Sequence, residues 1–280
     1  MPAPAWASRT FRLQLGENGV VERFPTYYIS HGGGPCFFMP DPRGAWTGLG
    51  NFLAGLPRNL KRLPSAILVM SAHWETPVVT IGAAPRPELI YDYYGFPDHT
   101  YEIEYRAPGS PEVARHAGEV LARAGLEHRI DPTAGWDHGV FIPMKVMFPD
   151  ADVPIVAMSL RHDLDPAHHL EIGRALTDLR SDVLIIGSGS SYHNLSDFSP
   201  LPAERFDRWL GEVLPLADQT RSVALTNWRS APSAIQAHPR EEHLVPLMVA
   251  VGAAETEPGE AVFRGPVLGV TMSCWRFGDH

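Results

Sequence analysis

Along most of this chain, apolar residues gather in short unbroken runs instead of alternating with polar ones. TYYIS (26–30), SAILVMSA (65–72), PVVTIGA (77–83), VPIVAMSL (153–160), DVLIIGSG (182–189) and PVLGVTMS (266–273) are all of strand length. Continuous Val/Ile/Leu runs predict strands buried on both faces. Between them the pattern turns helical. Ser110-Pro111-Glu112 places a capping hydroxyl before a proline at the first helical position, which predicts a helix to about Ala124, stopped at Gly125. Asp165-Pro166 opens a second helix to about Leu179, a third runs from about Pro202 to Ala217, and a fourth covers Glu241 to Ala254, with Pro246 distorting its start.

Strands alternating with helices predict one α/β domain whose central sheet, mostly parallel or mixed, carries helices on both faces. The polar break at Trp74–Thr76 reads as hairpin-like, so the sheet is not expected to be purely parallel. No internal repeat or composition shift marks a second domain. Residues 1–24 read as a loose arm and 25–280 as a single domain.

Composition narrows the class. The chain of 280 residues is 44% apolar and 20% charged, as for a globular protein with a sizeable core. A formal net charge of −9 gives no electrostatic support to nucleic-acid or anionic-membrane binding. The 2 cysteines, Cys36 and Cys274, exclude a disulfide scaffold and a cysteine-based zinc knuckle, and Cys36 reads as a small buried residue. No signal-peptide core or membrane-length apolar run is present, so the expected location is cytoplasmic.

Chemistry enters through five histidines placed where glycine, proline and strand ends make the backbone turn: His31 in HGGGP, His73 in SAHW, His138 in WDHG, His193 in SYHNL and His243 in EEHLVPL. A strand ending in His-Gly-Gly-Gly puts an imidazole at the edge of an open α/β sheet, where ligands bind, and HGGGP lacks the spacing of phosphate or dinucleotide loops. Taken alone, His73 is as well explained by a hydrogen-bonded core and His138 by a surface loop. His243 lies in the first turn predicted for its helix, where Glu241 and Glu242 also serve a helix N-terminus. Neither HExxH nor GxSxG occurs, so a zincin protease and a nucleophilic serine in GSGSS are disfavoured. His99, His116, His128, His162, His168, His169 and His280 are read as solvated, and adjacent His168 and His169 point to different helix faces. Taken together, the five suit one metal plus acid/base partners.

HGGGP, SAHW, DHGVFIPMKVMFPDADVPIVAMSL, GSGSSYHNL and AHPREEHLVPLMVAVGAA follow one another in that order. The set resembles the class III extradiol ring-cleavage dioxygenases of the DODA (DOPA 4,5-dioxygenase) type, over roughly residues 25–275. The resemblance implies a single α/β domain, a mononuclear non-haem Fe2+ centre and oxygen-dependent opening of a catechol ring beside its hydroxyls. It makes His31 and His73 metal ligands, His243 the third, His193 the acid/base residue and His138 a second imidazole lining the pocket. It also implies that Zn2+ can occupy the site.

Elsewhere in related oxygenases the third ligand is a carboxylate, and Glu242 and His238 stand beside His243 as alternatives. Lys145 and Tyr192 are candidate substrate contacts. The aromatic, acidic tract PELIYDYYGFPDHTYEIEY (87–105) reads either as a lid over an aromatic ring or as a packed surface. The expected partners are a small aromatic diol and O2. DOPA, a protocatechuate-like acid and a lignin-derived catechol all remain open, as do monomer and homodimer. Two rival functions use the same residues: a zinc-dependent hydrolase, and a binding protein that keeps the pocket without the chemistry.

Overall fold

The computed structural model describes residues 22–279; of the expected arm, residues 1–21 lie outside them. Phe24 is already buried, and its backbone N–H donates to the Arg180 carbonyl at 2.7 Å. The strands are β1 (Thr26–Ser30), β2 (Ala66–Thr76), β3 (Thr80–Gly82), β4 (Arg129–Asp131), β5 (Ile155–Arg161), β6 (Val183–Gly189), β7 (Gly259–Val267) and β8 (Val270–Phe277). They form one sheet in the order β4-β3-β5-β2-β6-β1-β8-β7. The centre, β5-β2-β6-β1, is parallel, so these strands all end at the same edge.

Alternate residues of the central strands enter two separate cores, as the period of a strand requires. Ile67, Val69, Leu184 and Ile186 face one side, where α1 (Thr47–Gly55), α3 (His138–Met147) and α5 (Pro200–Val213) pack. Leu68, Met70, Val183 and Ile185 face the other, against α2 (Pro111–Arg123) and α4 (Pro166–Ala175). Two short helices follow α5, α6 (Asp218–Thr226) and α7 (Ala234–Ala237), and then α8 (Val245–Ala254), which is buried all round and feeds both cores. Its contact with α4 is backbone-close: a Cβ on Gly252 would lie 2.2 Å from the Leu170 carbonyl oxygen, and one on Gly173 2.4 Å from that of Val249.

The single α/β domain with a two-sided mixed sheet is as expected, but the source of its antiparallel pairs differs. β2 and β3 form no hairpin, because β5 lies between them. The antiparallel pairs are β1 with β8, β7 with β8, and one contact between β3 and β5. The run at 266–273 is two strands. Leu268 (φ 52°) and Gly269 (φ 85°) make a tight turn inside it, both left-handed, as a two-residue hairpin of this twist needs. The caps hold: the Ser110 side chain accepts from the Val113 N–H and that of Asp165 from the Ala167 N–H. Pro246 lies in the first turn of α8, where it lacks no bond, so it starts that helix without distorting it. α3 escapes a sequence reading because it is apolar all round and contains Pro143.

His169 is buried, not solvated. It donates from Nδ1 to the Asp165 carbonyl (2.7 Å) and accepts at Nε2 from the Arg161 N–H (3.2 Å), tying α4 to the end of β5. Burial lowers its pKa from 6.5 to about 4, and protonation would also remove the acceptor that Arg161 needs. The folded value is the depressed one, so the stability it carries is complete above pH 6.5 and is lost as pH falls through about 4. In urea titrations with EDTA present, His169→Gln keeps an acceptor but cannot titrate. Its stability curve between pH 6.5 and 4 should be flatter than that of the parent by up to about 3 kcal/mol. An unchanged slope would show that this imidazole carries no such linkage.

Candidate metal centre

Three parallel strands deliver the site. Ser30, the last residue of β1, is level with Gly189 of β6, and Ser71 of β2 is level with Ser188. His31, just past β1, and His73, within the last part of β2, therefore stand on opposite flanks of the end of β6. The small residues there leave room for the two rings to lean together over it, and their Nε2 atoms stand 3.0 Å apart. His73 lies where the pairing of β2 with β5 shifts register between Met70 and Glu75, just past the last regular partner of β2 on β6. His138 is the first residue of α3, a helix position and not the loop expected for it. Asp137 ahead of it accepts the Ser71 hydroxyl proton at 2.6 Å, so the start of α3 is fixed to the middle of β2, level with Ser188 of β6. Burial raises the Asp137 pKa to about 6.

His243 lies in the turn ahead of α8, not in the helix. Its carbonyl accepts from the Tyr28 hydroxyl (2.7 Å) and the Ser190 N–H (3.0 Å). A Cβ on Gly189 would stand 2.0 Å from that carbonyl oxygen, so only glycine lets the turn approach β6 this closely. The His243 ring centroid is 5.2 Å from that of His31 and 4.9 Å from that of His73. His138 lies 4.0 Å from His73 and 5.4 Å from His31. His193 stacks on His243 at 3.3 Å. All five imidazoles named from the sequence thus share one site.

The hydrogen bonds settle the tautomers. Ser188 Oγ donates its only proton to the Gly139 carbonyl (2.5 Å), so at 3.0 Å from His31 Nδ1 it accepts. Asp92 Oδ1 accepts from His138 Nδ1 (2.8 Å), and Oδ2 lies 3.5 Å from His73 Nδ1. Glu242 Oε1 accepts from His243 Nδ1 (2.9 Å) and His193 Nδ1 (3.1 Å). His31, His138, His193 and His243 therefore carry the proton on Nδ1 and leave a bare Nε2, and the charge of the nearby Asp92 carboxylate favours the same tautomer for His73. Burial, reinforced by the neighbouring imidazoles, holds His31 and His243 well below the usual histidine range and brings His73 down to about 3. For Asp92 and Glu242 burial pushes the carboxyls up, but hydrogen bonds from His138 and His193 outweigh it and leave both ionised at lower pH than usual.

His238 and Glu242, the two alternatives to His243, have partners of their own. His238 is buried on Phe206 and Trp228, with Nε2 donating to the Ser191 carbonyl at 3.1 Å. Glu242 buttresses two rings. Lys145 Nζ donates to the Glu104 carbonyl (2.8 Å), on the returning limb of the 87–105 tract. Tyr192 is buried and donates to the Asp197 carbonyl (2.7 Å), closing its own loop. Among the described residues, neither side chain hydrogen-bonds to or stacks on any of the five imidazoles. The residue a sequence reading misses is Asp92. Its only signal is a carboxylate within the aromatic tract 87–105.

Residues 26–268 match the family described as the catalytic LigB subunit of aromatic ring-opening dioxygenase. This chain belongs to that family. It is a class III extradiol ring-opening dioxygenase, as the motif order implied. The 4,5-DOPA dioxygenase extradiol of Mirabilis jalapa is 38% identical over 83% of this chain and 88% of its own. The Escherichia coli K12 protein of the same description is 33% identical over 89% of this chain and 91% of its own. A dioxygenase of Hapsidospora irregularis is 38% identical over 91% of this chain and 85% of its own. A solved structure of an uncharacterized E. coli K12 protein superposes with a TM-score of 0.74 at 29% identity, covering 91% of this chain and all of that one.

LigB enzymes work with a non-haem metal, and the residues here fit one. Two bare Nε2 lone pairs facing each other at 3.0 Å repel unless a cation lies against both. His31, His73 and His138 offer nitrogens within 4.8 Å of one another, and His193, Glu242 and His243 form an adjoining group of the same size. Among the described residues, no helix is long and apolar enough to cross a membrane. Gly189→Ala should push the 243 turn off β6 and weaken divalent-metal binding by about tenfold or more while the far-UV spectrum stays native. Unchanged affinity by calorimetric titration would mean that the position of His243 is irrelevant to the metal.

Proposed function

We propose that this LigB enzyme opens a DOPA-type catechol with O2 at one Fe2+ held by His31, His73 and His243, with His193 as acid/base residue and His138 lining the pocket. The observation that carries it is the convergence of rings: the His31 and His73 Nε2 atoms stand 3.0 Å apart, while the Nδ1 atoms of His31, His138, His193 and His243 are engaged behind the rings. The ring spacing of His243 to both His31 and His73 supports its place as third ligand. The metal, when bound, acidifies the diol and gives O2 an electron path from it.

The protein's own part is proton handling and orientation. Glu242 holds the His193 Nδ1–H, so Nε2 is the base that takes a diol proton and later returns it during ring opening. His193 is the more open ring, at 24% side-chain exposure against 5% for His243, as a proton shuttle requires. Tyr93 stands edge-on to His138 at 5.9 Å and packs with Tyr91 and Phe141 behind it, which holds that ring in place. The DOPA assignment rests on similarity to the 4,5-DOPA dioxygenase extradiols of Mirabilis jalapa and E. coli.

Apoprotein reconstituted anaerobically with Fe2+ and given L-DOPA and a catechol panel should consume one O2 per ring and form a yellow semialdehyde. Zinc-loaded protein should consume none, since zinc has no redox step. His193→Ala should keep iron and lose about 10²–10⁴-fold in turnover. His31→Ala, His73→Ala and His243→Ala should lose iron, and His138→Ala should keep it. Silence across the panel at full iron loading overturns the reaction, and iron retained by His243→Ala but lost by His138→Ala exchanges those two roles.

A further inference from the structure

The segment 88–105 is a strap laid across the start of α3. Its outgoing limb pairs with Trp136: the Ile90 N–H donates to the Trp136 carbonyl (2.7 Å) and the Trp136 N–H to the Glu88 carbonyl (2.8 Å). The limbs are joined by the Tyr91 hydroxyl to the Ile103 carbonyl (2.7 Å) and the Tyr93 hydroxyl to the Thr100 carbonyl (2.6 Å). Its tip is open, with Tyr94 at 91% exposure beside Gly95 in the left-handed region. At Asp92 the strap turns a carboxylate inward. The backbone there is open to solvent, but the side chain is only 24% exposed. Oδ1 accepts from both the backbone N–H (2.9 Å) and Nδ1 (2.8 Å) of His138, and Oδ2 faces His73 Nδ1 at 3.5 Å.

We propose that Asp92 is a positioning residue through which the strap and the metal centre order each other. The inference rests on the metal-site reading above. Its grounds are geometric and electrostatic. Holding Nδ1–H on His73 and His138 is what aims each bare Nε2 inward. A cation on the far side of an imidazole polarises its Nδ1–H, which strengthens the bond to a carboxylate behind it. Three neutral nitrogens bring no negative charge to a dication, so the compensation comes from one ring further out. Asp92 supplies it behind His73 and His138, and Glu242 behind His193 and His243. Glu242 is two residues from Arg240, which lies 3.5 Å from its Oε2 and pairs bidentately with Glu75 (2.6 Å for both bonds). Among the described residues no cation pairs with Asp92, which is carried by the strap. Linkage is reciprocal, so whatever affinity the strap lends the metal, metal returns as order in the strap.

Cobalt(II) is the probe, read by its visible d–d spectrum and by hydrogen exchange of the amides at 88–105. In the parent protein, cobalt should slow exchange at 92–101 more than at 88–90, which Trp136 already pairs. Asp92→Ala should weaken cobalt binding by about 10–100-fold and abolish the cobalt-dependent protection. Asp92→Asn is isosteric: its carbonyl oxygen still serves His138, but its amide faces His73 Nδ1–H donor to donor. It should melt like the parent, shift the d–d bands and show intermediate affinity. Cobalt binding by Asp92→Ala within twofold of the parent, or strap protection that ignores cobalt in the parent, overturns this inference alone. A parent whose cobalt spectrum is unchanged by His31→Ala overturns the metal-site reading and this inference with it.

Discussion

The site depends on one constraint: every imidazole must carry its proton on the outer nitrogen. An imidazole has one donor and one acceptor when neutral, and a metal or a substrate proton needs the acceptor. In this fold that choice is made behind the rings. Ser188 must accept from His31 because its own proton is spent on Gly139. Asp92 and Glu242 each face a pair of histidines. Removing any of these partners leaves a ring free to flip its proton inward, and the convergence of nitrogens is then lost even with all five histidines in place.

The sheet makes that constraint satisfiable. Parallel strands end at one edge: His31 lies just past the end of β1, and His73 lies in β2 just beyond its last partner on β6. The middle strand ends in Gly187-Ser188-Gly189, which is low enough for rings from both sides to meet above it and for the turn before α8 to press down on it. A Cβ on Gly187 would lie 2.2 Å from the Pro246 carbonyl oxygen, so the glycines set the height of α8 as well as the place of His243. The same backbone contact that packs a core helix therefore places a candidate ligand.

Much of this was legible in the chain. Apolar runs marked four central strands because residues buried on both faces leave no polar positions to confuse the pattern. Ser110 and Asp165 marked helix starts because a side-chain acceptor before a proline has few other uses. The five histidines stood out because turn residues surrounded them. Less legible was α3, uniformly apolar and holding Pro143, and the β7–β8 turn, where leucine takes a left-handed conformation that sequence assigns to glycine or asparagine. His169 was misread because a polar neighbourhood in sequence does not show that Arg161 and Asp165 close over it.

What the sequence determined by itself was the set of chemical parts: five imidazoles, the strand ends that carry them, a family motif order and hence oxygen chemistry on an aromatic ring. These are local or ordered along the chain, and periodicity and motif spacing report such things directly. Only the tertiary structure decided which nitrogen of each ring is free, that Glu242 stands behind two rings while His238 packs in the core, and that Asp92 reaches in from an exposed strap. Those facts depend on partners dozens of residues apart meeting at hydrogen-bond distance, and a sequence pattern does not encode a distance of that kind.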